Sequence, residues 1–157
     1  MAPATKIMAA VDLSAYSPAI IRYSSWLAIE LKAELVLINI INQRDLDNVH
    51  RAMIGYEAFS YPDYVAGQEQ ERELKMNEMT ESICPGELIF RCLVRHGIPY
   101  QEILDAIKNE HPLMVVVGTK GRSNLADVMV GSTARKLYRR TTVPLLTLPA
   151  EFEETVE

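Results

Sequence analysis

Apolar residues fall along this chain in two alternating rhythms. Short, nearly continuous apolar runs are separated by longer stretches in which apolar residues return every three or four positions. The first rhythm suits strands covered on both faces, the second amphipathic helices. Lys6 to Val11 reads as a first strand ending at Asp12. Ser17 and Pro18 read as an N-cap with proline at the first helical position. Ile20, Ser24, Leu27, Ala28 and Leu31 carry that helix to about Lys32. Glu34 to Ile41 is a second strand, which makes a βαβ unit with a right-handed crossover. Leu88 to Arg95, Leu113 to Val117 and Val143 to Leu148 supply three more strands. Helical spacing covers Tyr64 to Ile83, Tyr100 to about Glu110, and Ser132 to Arg140. Cys84-Pro85-Gly86 ends the long helix, and Gly97 with Pro99 marks the turn into the next. Strands alternating with helices imply an α/β fold, a parallel sheet with helices on both faces.

Residues 42–63 fit neither rhythm. Asn42, Asp45, Asp47, Asn48, Gly55 and Pro62 interrupt both, so a long connection is expected there. Tyr56, Phe59, Tyr61 and Tyr64 crowd its end. They can form a lid, face a partner, or cover the end of the sheet. Trp26 reads as packing surface, and Glu69-Gln-Glu-Arg-Glu73 as a solvated helix face.

Composition narrows the class. With 157 residues, 48% apolar and 24% charged, the chain has the profile of a soluble globular protein. The expected organisation is one domain over residues 1–150 and an acidic tail over 151–157. No run reaches the roughly 18 apolar residues of a membrane span. The first twelve residues lack a signal-peptide hydrophobic region, so a cytoplasmic location is expected. A net charge of −5 argues against nucleic acid as the main partner. Cys84 and Cys92 make no disulfide framework. Cys92 and His96 sit on one strand, roughly 13 Å apart, with no second pair to complete a zinc site. They read as bystanders. His50, His96 and His111 have no nucleophile beside them in sequence and read as surface or turn residues.

Candidate chemistry gathers between Gly118 and Thr133, GTKGRSNLADVMVGST. The segment joins an apolar strand to a helix. Glycines permit close backbone approach, and a helix start offers unpaired N–H groups at the positive end of its dipole. Strand, glycine loop and helix together make an anion cradle, with phosphate the first candidate. No G-x-G pair, no G-x4-G-K-[S/T] and no G-x-S-x-G occurs, which removes the dinucleotide fingerprint, the Walker loop and the nucleophile elbow. Asp12, at the end of an apolar strand, is either a ligand residue or a turn former.

Gly118, two residues, Gly121, nine residues, then Gly131-Ser132 resembles the G-x2-G-x9-G-[S/T] motif of the universal stress protein family. The opening strand through Asp12 and the closing Val143-Pro-Leu-Leu-Thr-Leu148 resemble that family as well. The resemblance covers nearly the whole chain; residues 43–70 match nothing in the pattern. It implies a Rossmann-like fold of the adenine nucleotide alpha hydrolase type, an open five-stranded sheet in the order 3-2-1-4-5. In that order the crossovers diverge between the first and fourth strands, opening a crevice at Asp12 and Gly118.

The resemblance also implies an ATP-binding regulatory or stress-response module, with ADP or AMP as alternative ligands. Adenine is expected near Asp12 and the backbone at about Ile40, with Ala10 and Val11 on the same wall. Ribose and phosphates are expected at Gly118, Thr119, Gly121, Gly131, Ser132 and Thr133. Lys120 and Arg122 either neutralise phosphate or stay solvated. Arg139 and Arg140 suit the helix C-terminus. Mg²⁺ or Mn²⁺ would be held mainly by phosphate oxygens and water, with Asp12 the one carboxylate placed to help. The family implies a homodimer paired along Val143–Leu148, with Pro144 keeping that ladder incomplete. Two alternatives stand beside this reading. One is a slow metal-dependent ATP hydrolase or nucleotide-transferring enzyme, for which no general base is evident and the S-G-G-x-D-S signature is missing. The other is an interaction protein that binds no nucleotide, a branch that usually lacks the glycine motif.

Overall fold

The computed structural model describes residues 5–119 and 131–150. Its strands are β1 (Lys6–Ala10), β2 (Glu34–Asn42), β3 (Phe90–Gly97), β4 (Met114–Gly118) and β5 (Leu145–Leu148). They form one parallel sheet in the order β3-β2-β1-β4-β5. The helices are α1 (Ser17–Glu30), α2 (Gln43–Ala52), α3 (Tyr61–Ile83), α4 (Pro99–Glu110) and α5 (Ser132–Arg140). The expected α/β class and strand order are both present.

Strand periodicity builds two cores. Ile7, Ala9, Leu35, Leu37 and Val116 point to one face and pack with Ile20, Ile21 and Ala28 of α1 and Met76 of α3. Met8, Val36, Ile38, Val115 and Val117 point to the other and pack with Ile103, Ala106 and Ile107 of α4 and Ala134 and Leu137 of α5. Both faces of β1 and β2 are thus buried, which is why these strands are apolar at successive positions.

Several boundaries differ from the sequence reading. The region expected as a long connection contains α2. Asn42 is its N-cap, accepting the Arg44 N–H at 3.0 Å, and Asp45 lies in the first turn. Residues read as breakers are here helix-starting residues. Leu46 anchors the helix, fully buried. α3 begins at Tyr61 rather than Tyr64, because Ser60 caps it and Pro62 occupies the first turn. Ser17 lies inside α1, the N-cap being Tyr16, since the Ser17 hydroxyl bonds Asp12 instead. β3 sits two residues later than expected, with Phe90 in register with Leu35 and Gly97 with Asn42. β5 starts at Leu145 because Thr141 Oγ1 bonds both the N–H and the carbonyl of Val143 in a turn. Trp26 is 38% exposed and rests against Tyr23 rather than in a core.

At the N-terminal ends of the strands, Arg91 is clamped between Glu34 and Glu110, and Lys6 Nζ donates to Glu110 at 2.9 Å. The Arg91 hydrogen bonds, helped by Lys6, hold the Glu110 carboxyl down at about 2, and the same contacts raise the Arg91 pKa.

Candidate functional site

β1 and β4 are neighbours whose chains leave toward opposite edges of the sheet. A cavity of about 400 Å³ opens at their C-terminal ends, the position at which open α/β sheets bind ligands. Ala10, Val11, Asp12, Ile40, Gly118, Thr119, Gly131, Ser132 and Thr133 all line it. The remaining residues singled out in the sequence, Lys120, Gly121 and Arg122, lie outside the described residues.

Asp12 is held by a tight local turn. Its Oδ1 accepts the Ser14 N–H at 2.9 Å and the Ser17 hydroxyl at 3.3 Å. Leu13 takes φ +62°, a left-handed conformation in which a non-glycine residue is uncommon. Asp12 thus forms the turn, as one of its two readings expected, and it also lines the cavity.

Across the cavity, Gly131 is the N-cap of α5 and, having no side chain, leaves the first N–H groups of the helix without a side-chain cap among the described residues. Gly131 has φ −62° and donates its N–H to the Thr119 carbonyl at 2.6 Å. An added Cβ would stand 3.4 Å from that carbonyl, an ordinary contact. Neither backbone strain nor crowding among the described residues calls for glycine here. Ser132 and Thr133 bring hydroxyls to the same rim.

The third wall went unread in the sequence. Asn39, Asn42, Arg44, Asp45 and Arg72 line it, and Ile20, Ile38, Ile103 and Val117 add apolar surface. Asn39 is 1% exposed; its Nδ2 donates to the Val11 carbonyl at 2.7 Å and its Oδ1 accepts from Arg72 at 3.0 Å. A single polar residue inside the apolar run ELVLINII was the available signal. Arg72 belongs to the stretch read as a solvated face; only the fold turns it inward.

Other candidates fall away from the cavity. Lys136 and Arg140 lie 4.8 and 5.0 Å from the centroid of the Tyr100 ring. A hydrogen bond from Gln101 and these two cations lower the Tyr100 pKa. His50 stacks on Tyr61 at 4.4 Å, His96 contacts Glu69 at 3.1 Å, and His111 caps α4 in a left-handed conformation. Burial pushes the Cys92 thiol up to about 12, with Glu73 adding to it. Among the crowded aromatics, Tyr56 is 65% exposed, and Phe59 packs on Tyr64 with centroids 5.8 Å apart. None of the four lines the cavity. Among the described residues no group of three His, Cys, Asp or Glu could hold a metal ion, and no helix is long and apolar enough to cross a membrane.

Sheet order and crevice define an open, doubly wound α/β protein. The model of the universal stress protein family matches residues 3–149, and the chain belongs to that family. It is 26% identical over 142 residues to universal stress protein YxiE of Bacillus subtilis, spanning 90% of this chain and 96% of the relative. Universal stress protein MJ0577 of Methanocaldococcus jannaschii is 27% identical over 133 residues, 74% of this chain and 77% of that one. The MJ0577 structure matches with a TM-score of 0.75 and 18% identity over 95% of this chain and 98% of that one. A universal stress protein in complex with cAMP matches with a TM-score of 0.60 and 16% identity, over 94% of this chain and 98% of that one. One from Archaeoglobus fulgidus in complex with dAMP matches with a TM-score of 0.58 and 15% identity, over 94% of this chain and 98% of that one.

Proposed function

We propose that this universal stress protein binds an adenine nucleotide, with ATP as the first candidate, in the crevice between β1 and β4. The carrying observation is the pairing of an uncapped helix start at Gly131-Ser132-Thr133 with an apolar slot and Asp12 around one cavity. Its volume, about 400 Å³, lies within the range of small-molecule sites. Phosphate suits the α5 N-terminus, and a planar base suits the walls of Val11, Ile38 and Val117. Two relatives of this fold were solved with nucleotides, cAMP and dAMP. Mg²⁺ or Mn²⁺ would enter with the phosphates, where Asp12 offers a carboxylate and Ser132 and Thr133 offer hydroxyls. In this reading the nucleotide state governs partner interaction, and the protein acts in the cytoplasm as a stress-response module.

The test has two steps. Protein denatured after purification is assayed for released nucleotide by chromatography and mass, and emptied protein is titrated with ATP and Mg²⁺. Wild type is expected to bind. Gly131→Asp sets a carboxylate against the phosphates, and like charges brought together cost several kcal/mol, so affinity is expected to fall about 100-fold or more. Gly131→Ala, whose Cβ meets only ordinary contact among the described residues, serves as the folding control. Equal ATP affinity in wild type and Gly131→Asp, or no binding by wild type, overturns the reading.

A further inference from the structure

Asn39 carries a side-chain amide buried in the middle of the sheet, and the two residues this amide bonds, Val11 and Arg72, belong to the wall of the cavity. Its Nδ2 reaches the Val11 carbonyl at 2.7 Å and its Oδ1 receives Arg72 Nη1 at 3.0 Å. The two partners fix which way round the amide stands: a carbonyl requires the donor end and a guanidinium the acceptor end. Val11 also donates its own N–H to the Ile38 carbonyl at 2.9 Å. Both polar groups of the Val11 backbone are therefore fixed from β2, immediately before Asp12 and the left-handed Leu13. Arg72 comes from α3, a helix whose inner side is set in the core by Met76 and Thr80, both 0% exposed.

We propose that Asn39 and Arg72 are positioning residues that couple the docking of α3 to the geometry of Asp12. Arg72 orients the Asn39 amide, the amide fixes the Val11 carbonyl, and that peptide sets where the Asp12 turn begins. The chain of contacts runs Arg72, Asn39, Val11, Asp12, and each of the four lines the cavity. An occupant that tightens the Asp12 end then tightens α3, and with it the α2–α3 crossover, which carries the exposed Ile54 and Tyr56. Filling of the site would be read out on that surface. The last step rests on the nucleotide reading; the relay itself does not.

Hydrogen exchange of the full chain separates the two. Without nucleotide, Arg72→Met is expected to speed exchange at the Val11 and Ser14 amides on the order of tenfold, although Arg72 bonds neither. The slowest amides of β2, around Leu35 and Leu37, stay as in wild type. Arg72→Lys keeps a donor for Asn39 and is expected to restore most of the protection. Wild-type rates at Val11 and Ser14 in Arg72→Met overturn the relay, as does uniform acceleration across the sheet, which marks simple destabilisation. With ATP, protection in wild type is expected to extend through residues 61–83 and, in Arg72→Met, to stop at the cavity rim. Equal protection of α3 in both overturns the coupling. If wild type binds no ATP, the nucleotide reading fails on its own, and exchange in the unliganded protein still judges the relay.

Discussion

Asp12 commits one oxygen, Oδ1, to the turn it sits in, accepting from both Ser14 and Ser17. Asp12→Asn keeps an acceptor for that turn while removing the charge. It is expected to fold as wild type and to bind ATP more weakly with Mg²⁺ present, an effect that shrinks when the metal is chelated; calorimetry with and without chelator checks this. Glu110 makes a separate prediction. Its folded pKa of about 2 lies below the ordinary 4.5, because Arg91 and Lys6 favour the ionised form. The stability it contributes is fully present above about 4.5 and is lost as pH falls toward 2. Glu110→Gln should therefore cost roughly 1 kcal/mol at neutral pH and nothing at the acid end, read from urea midpoints across that window. At this scale the sequence marked, through a local motif, residues that the fold gathers at the cavity, such as Asp12, Gly118 and Gly131. Asn39 and Arg72 stayed hidden because their role exists only between distant segments. An asparagine in a strand and an arginine in a charged run carry no mark of having met.

Helices and strands show a different division. Strands β1, β2 and β4 were legible because burial on both faces leaves an apolar run with little to confuse it. α2 was not, because polar residues at a helix start also serve as turn formers, and only one side chain of that helix, Leu46, is fully buried. Its stability rests on its cap more than on packing. Asn42→Ala is accordingly expected to cost about 1 kcal/mol and to speed exchange in residues 43–52 ahead of the rest of the chain. The shifts in β3 and β5 have a like origin. Leu88 is apolar and packs on the core from a loop, and Val143 is apolar and sits in a Thr141-closed turn. Apolar character reports burial, and burial extends beyond the hydrogen-bonded ladder.

For the whole molecule, the sheet has two edges of unlike character. β5 offers four residues, Leu145 to Leu148, whose half-buried Leu145 and Leu146 suit pairing with a second copy, as the family resemblance leads one to expect. Light scattering at micromolar concentration should give the mass of a dimer, and Leu146→Lys should give that of a monomer with ATP affinity unchanged. A monomeric wild type would remove the expectation. The other edge, β3, is twice as long at eight residues, yet it carries Arg91, Arg95 and His96. Arg91 is clamped by Glu34 and Glu110, and Arg95 pairs with Asp105 at 2.9 Å. Charged side chains anchored along an edge oppose the approach of another strand. Joined copies would thus expose only their guarded margins, and growth would end at two. A chain with one inviting edge and one forbidding edge has a built-in stop against becoming a fibre.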